Sequence, residues 1–332
     1  MLLATPLLHG IRQSYPHASI HIGVGDWAKE LLLNNPDVDE IVTCNAPWHN
    51  KQICEFPANS IKTYLAGLKY VLLSDEVRHL KKNKYIHGVD YLGSRQGSWL
   101  LKRIGIPIRY GVKGYAGGHN WCTKSVDFKI DEHVSKAGIK FLKIMDPHSK
   151  LRLDPRPRIF LTEKEIKSAF QNWNFSNNQS CKIVIAPGAG FPEKSWGDNS
   201  YQKLVRLILD KTKSKIAVIG SLKDAIRIKM SDKRLVNFCG RLSLRESAAI
   251  VSKSDLVISN SSVAMHLAGA FSVPAVITLG PCYDSTRLHS NQWGYPENTI
   301  LGKEVSKEIK NIATVDAVYA QVKSMLDSKE SS

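Results

Sequence analysis

A glycine-rich segment followed by a lysine is the first part of the sequence that can do chemistry. Gly188, Ala189 and Gly190 come directly after the apolar run at 182–186, and Lys194 follows shortly after them. Glycines let a ligand approach backbone N–H groups closely, and an ammonium group adds positive charge, so the segment is a candidate site for a diphosphate. An ordinary strand-to-helix turn with a surface lysine explains this segment alone equally well. The G-K-[ST] ending of a Walker A motif is absent from it.

A second polar segment opens a helical pattern after another apolar run, at 255–260. Ser261 or Ser262 is expected to cap the helix, which begins near Val263. The N–H groups at a helix N-terminus favour an anion, and His266 would lie about one turn inside this helix. A single helical histidine is more often a packing residue than a ligand. Two anion-binding features at neighbouring strand ends nevertheless favour a ligand site, because open α/β sheets bind ligands at that edge.

Two further strand ends provide candidate nucleoside contacts. Asp224 follows a turn at Gly220, where its carboxylate is suited either to the hydroxyls of a ribose or to capping its own helix. Leu242 follows Gly240, where backbone groups are placed to surround a base. Phosphate, ribose and base contacts at successive strand ends together predict a nucleotide-diphosphate site.

The elements that must position these residues are clearest in the second half of the chain. Short apolar segments alternate there with helical segments of about ten residues, which predicts a doubly wound parallel sheet with right-handed crossovers. The predicted strands are 182–186, 215–220, 235–239, 255–260 and 274–280, and the predicted helices are 200–211, 224–230, 244–252 and 263–271.

The first half shows the same alternation less regularly, and we expect a second α/β domain there. Its predicted elements are a helix over 1–15, a strand at 20–24, a helix at 27–33 and a strand at 40–44. A doubly wound domain normally opens with a strand, so the leading strand is expected to be missing from this chain. The expected domains are 1–150, 151–305 and a C-terminal helix and tail at 306–332, with a proline-containing linker at 146–157.

The composition limits the class of protein and of partner. The 332 residues include 46 Lys and Arg against 30 Asp and Glu, and the net charge of +16 favours an acidic partner or an anionic membrane surface. No aromatic-interleaved nucleic-acid module is present, so nucleic acid is not expected as a partner. No apolar run reaches the roughly 18 residues of a membrane span, and no signal peptide opens the chain, so a cytoplasmic location is expected.

No metal or cofactor is expected from the sequence. Asp37-Val38-Asp39 matches a D-x-D metal-binding pattern, but it precedes a predicted strand of the other domain, where a solvated turn is the better interpretation. The six cysteines are scattered without C-x-x-C spacing, which predicts reduced thiols. No G-x-G-x-x-G follows a first strand, and this argues against a dinucleotide-dependent dehydrogenase.

Together these segments resemble glycosyltransferase family 9, the ADP-heptose:lipopolysaccharide heptosyltransferases, over nearly the whole chain. The matching motifs are Met1–Leu8, Asn34–Ile41, Pro187-Gly188-Ala189 with Lys194 and Trp196, and Met265–Ala268 with Gly280-Pro281. The resemblance implies the GT-B type fold, in which two Rossmann-like doubly wound domains face a central cleft. It also implies an inverting, metal-independent transfer of heptose from ADP-heptose to the lipid A-linked core oligosaccharide of lipopolysaccharide. The expected enzyme is cytoplasmic and peripheral on the cytoplasmic face of the inner membrane.

The same resemblance gives each candidate residue a role at the donor site. The residues implied to bind the donor diphosphate and sugar are Gly188, Ala189, Gly190, Lys194, Ser261, Ser262, Val263 and His266. Asp224 would contact the ribose, and Leu242 would contact the adenine through its backbone.

The chain departs from the family pattern in two places. Ser261-Ser262-Val263 stands where the family usually has Asp-Ser/Thr-Gly. The family's general base is the Asp of a Gly-Asp pair whose position would precede Met1, so no catalytic residue is assigned within this chain. Two alternatives therefore stay open: a sugar-nucleotide-binding protein of the same fold without transferase activity, and a sugar-nucleotide epimerase.

Overall fold

The computed structural model describes residues 1–48, 56–57, 60–173, 180–302 and 312–330. The chain divides into two compact units, Met1–Phe160 and Leu161–Ser332. This division falls ten residues after the expected boundary at 150, because the intervening segment contacts unit 1. The Arg158 N–H donates to Thr5 Oγ1 at 2.8 Å, and the Leu153 side chain lies against Gly10. No helix in the described ranges has the length and apolar character needed to cross a bilayer.

Unit 1 contains two small parallel sheets and the helices around them. In chain order its elements are α1 (Thr5–Ser14), β1 (His21–Val24), α2 (Asp26–Lys29), β2 (Glu40–Thr43), α3 (Ile61–Leu73), α4 (Asp75–Lys82), β3 (His87–Val89), α5 (Arg95–Arg103), β4 (Ile108–Lys113), β5 (Lys124–Asp127) and α6 (Val134–Met145). Strand β1 pairs with β2, and β3, β4 and β5 pair in that order. The predicted first helix and the two predicted strands are confirmed. The predicted helix at 27–33 is instead α2 followed by a 3₁₀ turn.

Unit 2 is a doubly wound domain, as the alternation of strands and helices predicts. Its elements are α7 (Glu163–Asn172), β6 (Lys182–Ala186), α8 (Asp198–Lys211), β7 (Lys215–Val218), β8 (Leu235–Asn237), α9 (Leu244–Ser252), β9 (Leu256–Asn260), α10 (Val263–Ala270), β10 (Ala275–Thr278), α11 (Thr286–Trp293), β11 (Asn298–Leu301) and α12 (Val315–Glu330). The described strands form one sheet in the order β11-β10-β9-β6-β7-β8, and all neighbours are parallel.

The sheet of unit 2 is buried on both faces, which explains its uninterrupted apolar strands. Ile183, Ile185 and Ile258 are fully buried within it. Helices α8 and α12 pack together, and α12 buries Val318 and Val322 in the same apolar cluster. The C-terminal helix is therefore part of the unit 2 core. It begins at Val315 rather than near 306, and residues 303–311 lie outside the described ranges.

The predicted helix at 224–230 is wrong. The chain forms a 3₁₀ turn at Leu222–Asp224 and continues through turns and bends. The Asp224 carboxylate accepts hydrogen bonds from Ser221 on one side and Arg227 on the other, and these local contacts stabilise the turn in place of a helix.

Candidate nucleotide-diphosphate site

The candidate residues lie where the sheet of unit 2 changes its winding direction. Strands β6 and β9 are neighbours, but the chain leaves β6 towards β7 on one side and leaves β9 towards β10 on the other. The loops that follow the two strands consequently diverge and leave a crevice at the carboxyl edge of the sheet, the usual ligand position in open α/β folds. The glycine segment follows β6, and Ser261 and Ser262 follow β9. The structure thus brings the two predicted anion-binding segments to one edge.

Asn260, the last residue of β9, ties these two segments together. Its side chain is fully buried. The side-chain amide oxygen accepts a hydrogen bond from the backbone N–H of Trp196 at 2.8 Å. The side-chain Nδ2 donates to the carbonyl oxygens of Pro187 at 2.8 Å and Gly188 at 3.3 Å. Both ends of the glycine-lysine loop are therefore fixed to the end of β9. The sequence analysis assigned no role to Asn260, because these partners are more than sixty residues away along the chain.

The loop after β10 fixes the backbone around Lys194. The Cys282 N–H donates to the Glu193 carbonyl oxygen at 3.1 Å. A Cβ atom at Gly280 would lie 2.5 Å from the Lys194 carbonyl carbon, so the two backbones approach as closely as only a glycine permits. The Gly280-Pro281 motif thus holds the lysine-bearing loop in place.

The Lys194 ammonium group lies over two aromatic rings. Its Nζ is 5.7 Å from the Phe191 ring centroid and 5.8 Å from the Tyr283 ring centroid. Within the described part of the chain, no carboxylate lies at ion-pair distance from it. A lysine held over aromatic faces without an acidic partner is a cation available to a negatively charged ligand.

The N-terminus of α10 supplies a second positive element. Ser262 is the N-cap, and its hydroxyl accepts a hydrogen bond from the Ala264 N–H at 3.4 Å, which confirms one of the two predicted caps. Val263 begins the helix with an exposed side chain. The positive end of the helix dipole therefore lies beside the glycine segment, where it favours an anion.

His266 lies one turn inside α10 and is half-buried against two aromatic residues. Its Nδ1 is hydrogen-bonded to the Tyr295 hydroxyl at 2.9 Å, and its ring meets Tyr295 edge-on and lies 6.1 Å from the Trp293 ring. These contacts fix the orientation of the imidazole ring.

Asp224 is buried beneath the glycine segment, and its carboxylate takes the capping role that the sequence left open. It accepts hydrogen bonds from the Ser221 N–H at 2.8 Å, the Ser221 hydroxyl at 2.7 Å and Arg227 Nε at 2.7 Å. Burial acts to raise the pKa of this carboxyl, but the hydrogen bonds from Ser221 and Arg227 outweigh it, and the pKa lies below its usual range. Leu242 is half-buried in the loop between β8 and α9. The ribose and adenine roles of these two residues stay predictions.

Tyr283 and His289 join this cluster, and the sequence analysis missed both. Burial raises the pKa of Tyr283, and the side chain of Ser261 beside its hydroxyl opposes the rise. The His289 ring meets Tyr283 edge-on, with ring centroids 4.7 Å apart. His289 is 5% exposed, and burial together with the nearby Lys194 charge lowers its pKa to about 4. His289 is therefore neutral near pH 7 and adds no positive charge near Lys194. The one available signal was their position shortly after Gly280-Pro281.

The D-x-D carboxylates in unit 1 are engaged in structural contacts. Asp37 is buried and lies 3.1 Å from His9 Nδ1, and Asp39 accepts hydrogen bonds from the Ile20 N–H at 2.7 Å and from Arg12 at 2.6 Å. Asp37 is thus not the solvated turn residue that the sequence predicts, because its side chain packs against α1. Among the described residues, no group of three or more His, Cys, Asp or Glu side chains is arranged to hold a metal ion.

The chain is similar to known proteins in sequence and in fold. The sequence profile of glycosyltransferase family 9 (heptosyltransferase) matches residues 76–295. Lipooligosaccharide heptosyltransferase 2 of Haemophilus influenzae is 31% identical over 300 residues, which cover 85% of this chain and 80% of that protein. A family 9 glycosyltransferase structure from Veillonella parvula superposes with a TM-score of 0.73 at 19% identity, covering 98% of this chain and 93% of the other. The structure of E. coli ADP-heptose LPS heptosyltransferase II gives a TM-score of 0.70 at 18% identity, with 99% and 96% of the two chains covered.

Proposed function

Since this chain belongs to glycosyltransferase family 9, we propose that it transfers a heptose from ADP-heptose to the lipid A-linked inner core of lipopolysaccharide. The chain is a glycosyltransferase with the two-domain GT-B fold. The donor, the acceptor, the inversion of configuration and the independence from metal ions are parts of the proposal. The observation that carries it is the convergence of Lys194, the α10 N-terminus and Tyr283 at neighbouring strand ends of unit 2.

The proposed reaction is a single in-line displacement. An acceptor hydroxyl attacks the anomeric carbon from the face opposite the diphosphate and gives up its proton to a base, while ADP leaves with the electrons of the broken C–O bond. Attack from the opposite face inverts the anomeric configuration.

Charge builds up on the departing diphosphate, and it must be stabilised for the bond to break. Lys194 supplies a full positive charge, and the N–H groups of Gly188, Ala189 and Gly190 together with the α10 N-terminus supply oriented donors. In this proposal these groups replace the divalent cation that other glycosyltransferases use, while His266 and Ser261 border the sugar. Asp224 and Leu242 lie on the nucleoside side.

A nucleotide-sugar-binding protein without transferase activity is the second candidate. The Ser261 hydroxyl lies beside Tyr283, and Val263 presents a branched, exposed side chain where a close approach to the sugar is needed. Both features are compatible with binding and reduce the groups available to the reacting sugar. Calorimetry with ADP, paired with a turnover assay, separates the two candidates: binding without turnover favours the binding protein.

The variant Lys194→Ala tests the transferase proposal. Loss of one preorganised charge-stabilising group typically lowers the rate by about 10²–10³-fold, so kcat/KM for heptose transfer should fall by that factor while the protein stays folded. Lys203→Ala, which removes an exposed lysine on α8 outside the site, is the matched control. Turnover by Lys194→Ala within a factor of about three of the control would reject the assigned role.

A further inference from the structure

Helix α3 of unit 1 has an apolar face that points away from the protein. An α-helix advances 100° per residue, so Ile61, Leu65, Leu68 and Leu72 fall within about 60° of arc on one side. Of these, Ile61 is 79% exposed, Leu65 is 55% exposed and Leu72 is 47% exposed. Leu68 is half-buried, and the four residues together are called the α3 stripe below.

The opposite side of α3 is the one that packs against unit 1. Thr63 and Val71 are buried there. Gly67 lies between them, where an added Cβ atom would be 3.4 Å from Trp48 and 3.7 Å from Gln96. A surface helix usually buries its apolar face, but in α3 the solvent-exposed face is more strongly apolar than the face that packs against the core. A contiguous apolar surface of this kind marks a binding site.

The charges around the α3 stripe select the partner. Lys62 and Lys69 lie along one edge of it, and α3 contains no acidic residue. The two carboxylates that follow are already engaged: Asp75 pairs with Arg78 at 2.5 Å, and Glu76 accepts from the Tyr70 hydroxyl at 2.6 Å. An apolar stripe with basic residues at its edge is complementary to an anionic lipid surface.

A second copy of this chain fits the stripe less well. Contact between two α3 stripes would bring Lys62 and Lys69 of both copies together, with no carboxylate on either helix to neutralise them. Like charges brought together in a desolvated contact oppose association.

We propose that the α3 stripe is the element by which unit 1 rests on an anionic membrane surface, with its apolar side chains among the lipid chains and its lysines at the headgroups. The inference rests on the proposed function, since a lipid A-linked acceptor lies in such a surface. The vesicle test below uses neither donor nor acceptor, so its outcome is separate from that of the transferase assay.

The test measures binding of the full chain to vesicles by co-sedimentation. Wild-type protein should bind vesicles containing phosphatidylglycerol, and the double variant Leu65→Ser/Leu72→Ser should bind them at least about tenfold more weakly, because each exchange removes apolar surface from the contact. Ile86→Ser, which changes another exposed apolar residue of unit 1 outside α3, should bind as the wild type does. Circular dichroism and the thermal unfolding of each variant establish that it is folded.

The lysines provide a second arm. Lys62→Gln and Lys69→Gln should each weaken binding to the anionic vesicles by about fivefold, with Lys203→Gln in unit 2 as the control. Equal binding by the wild type and the α3 variants, or binding lost equally in Ile86→Ser, overturns the proposal. So does a dimer in analytical ultracentrifugation that Leu65→Ser/Leu72→Ser dissociates while wild-type protein ignores vesicles, because the stripe would then be an interface between copies.

Discussion

The two units differ in how far they bury their apolar side chains. Unit 2 buries Ile183, Ile185 and Ile258 completely in one six-stranded sheet, and α12 returns from the end of the chain to cover it. Unit 1 divides its described strands between a pair and a triplet, and most of the exposed large apolar side chains among the described residues belong to it.

This difference indicates how the two units meet their ligands. Unit 2 forms its candidate site from backbone and side chains that are fixed by long-range hydrogen bonds, so a small charged ligand meets preorganised groups. Unit 1 leaves apolar residues such as Ile61 and Leu65 exposed, which favours a large partner that covers them. The predictions below test this contrast.

The largest expected effect on stability is in the sheet of unit 2. Ile258→Ala should lower the free energy of unfolding by about 2–5 kcal/mol, because it leaves a cavity in a fully buried position. Leu65→Ala in α3 should change it by less than about 0.5 kcal/mol, because more than half of that residue's surface is already exposed to water. Urea unfolding followed by circular dichroism measures both. If both variants lost a similar free energy of unfolding, the proposed difference in apolar burial between the two units would be wrong.

Asn260→Ala should disturb both stability and the site. The substitution leaves the buried backbone N–H of Trp196 without its acceptor, which should lower the free energy of unfolding by about 1–3 kcal/mol. It also releases the glycine-lysine loop from β9. We expect ADP affinity, measured by calorimetry, to fall by roughly tenfold as the loop loses its fixed position. Asn120→Ala, an exposed asparagine of unit 1, is the control. Unchanged ADP affinity in a destabilised Asn260→Ala protein would show that the loop does not depend on this clamp.

The ion pair between α7 and α9 should make unit 2 sensitive to acid. Arg245, which is buried, donates to Glu165 through Nε and through Nη2, and these hydrogen bonds lower the pKa of Glu165 to about 2. A lowered carboxyl pKa adds stability that is present above the unfolded-state pKa, near 4.3, and is lost as the pH falls through the folded-state value. Glu165→Gln should therefore cost about 1–3 kcal/mol at pH 7, and the deficit should shrink between about pH 4 and pH 2.

Glu163→Gln on the same helix is the matched control for this experiment. Its carboxylate is almost fully exposed and pairs with Lys167 only at 3.6 Å, so its removal should cost less than about 0.5 kcal/mol at any pH. Unfolding midpoints measured from pH 7 to pH 2 supply the comparison. A pH-independent deficit in Glu165→Gln would mean that packing, and not ionisation, stabilises this contact.

The smallest expected effect is at Tyr283. Tyr283→Phe keeps the ring beside Lys194 but removes the polar hydroxyl next to Ser261, so the affinity for a nucleotide sugar should fall by about fivefold. Tyr115→Phe in unit 1 should leave it unchanged. If only Tyr283→Phe raises the KM for the donor while kcat is preserved, Tyr283 acts in donor binding and not in the chemical step.

Local sequence patterns predicted the elements of unit 2 well because its strands are continuous apolar runs that end in glycine or serine turns. The strands at 182–186 and 255–260, together with the cap at Ser262, follow directly from such patterns. The helix predicted at 224–230 does not form, because local side-chain hydrogen bonds determine the backbone conformation there. The spacing of apolar residues does not reveal such bonds. The side chains of Ser221 and Arg227 donate to different oxygens of the Asp224 carboxylate and together stabilise a turn.

Local sequence patterns could not predict the contacts that assemble the site. Asn260 contacts Trp196 and Pro187 although more than sixty residues separate them along the chain, and Tyr283 reaches Ser261 because β10 lies beside β9. Strand order decides such meetings, and a single sequence does not specify strand order. Charge counting indicated an anionic partner for the chain, but it could not identify α3 as the helix with an exposed apolar face.

The close approach between Gly188 and Asp224 has a consequence for sequence variation. A Cβ atom at Gly188 would lie 2.7 Å from the Asp224 carboxylate, and one at Gly220 would lie 2.9 Å from it. The acid fills the space that both glycines leave open, so a side chain added at either glycine would require the Asp224 carboxylate to move. Among related proteins, a side chain at the position of Gly188 should therefore coincide with a smaller residue at the position of Asp224, and the two positions should covary.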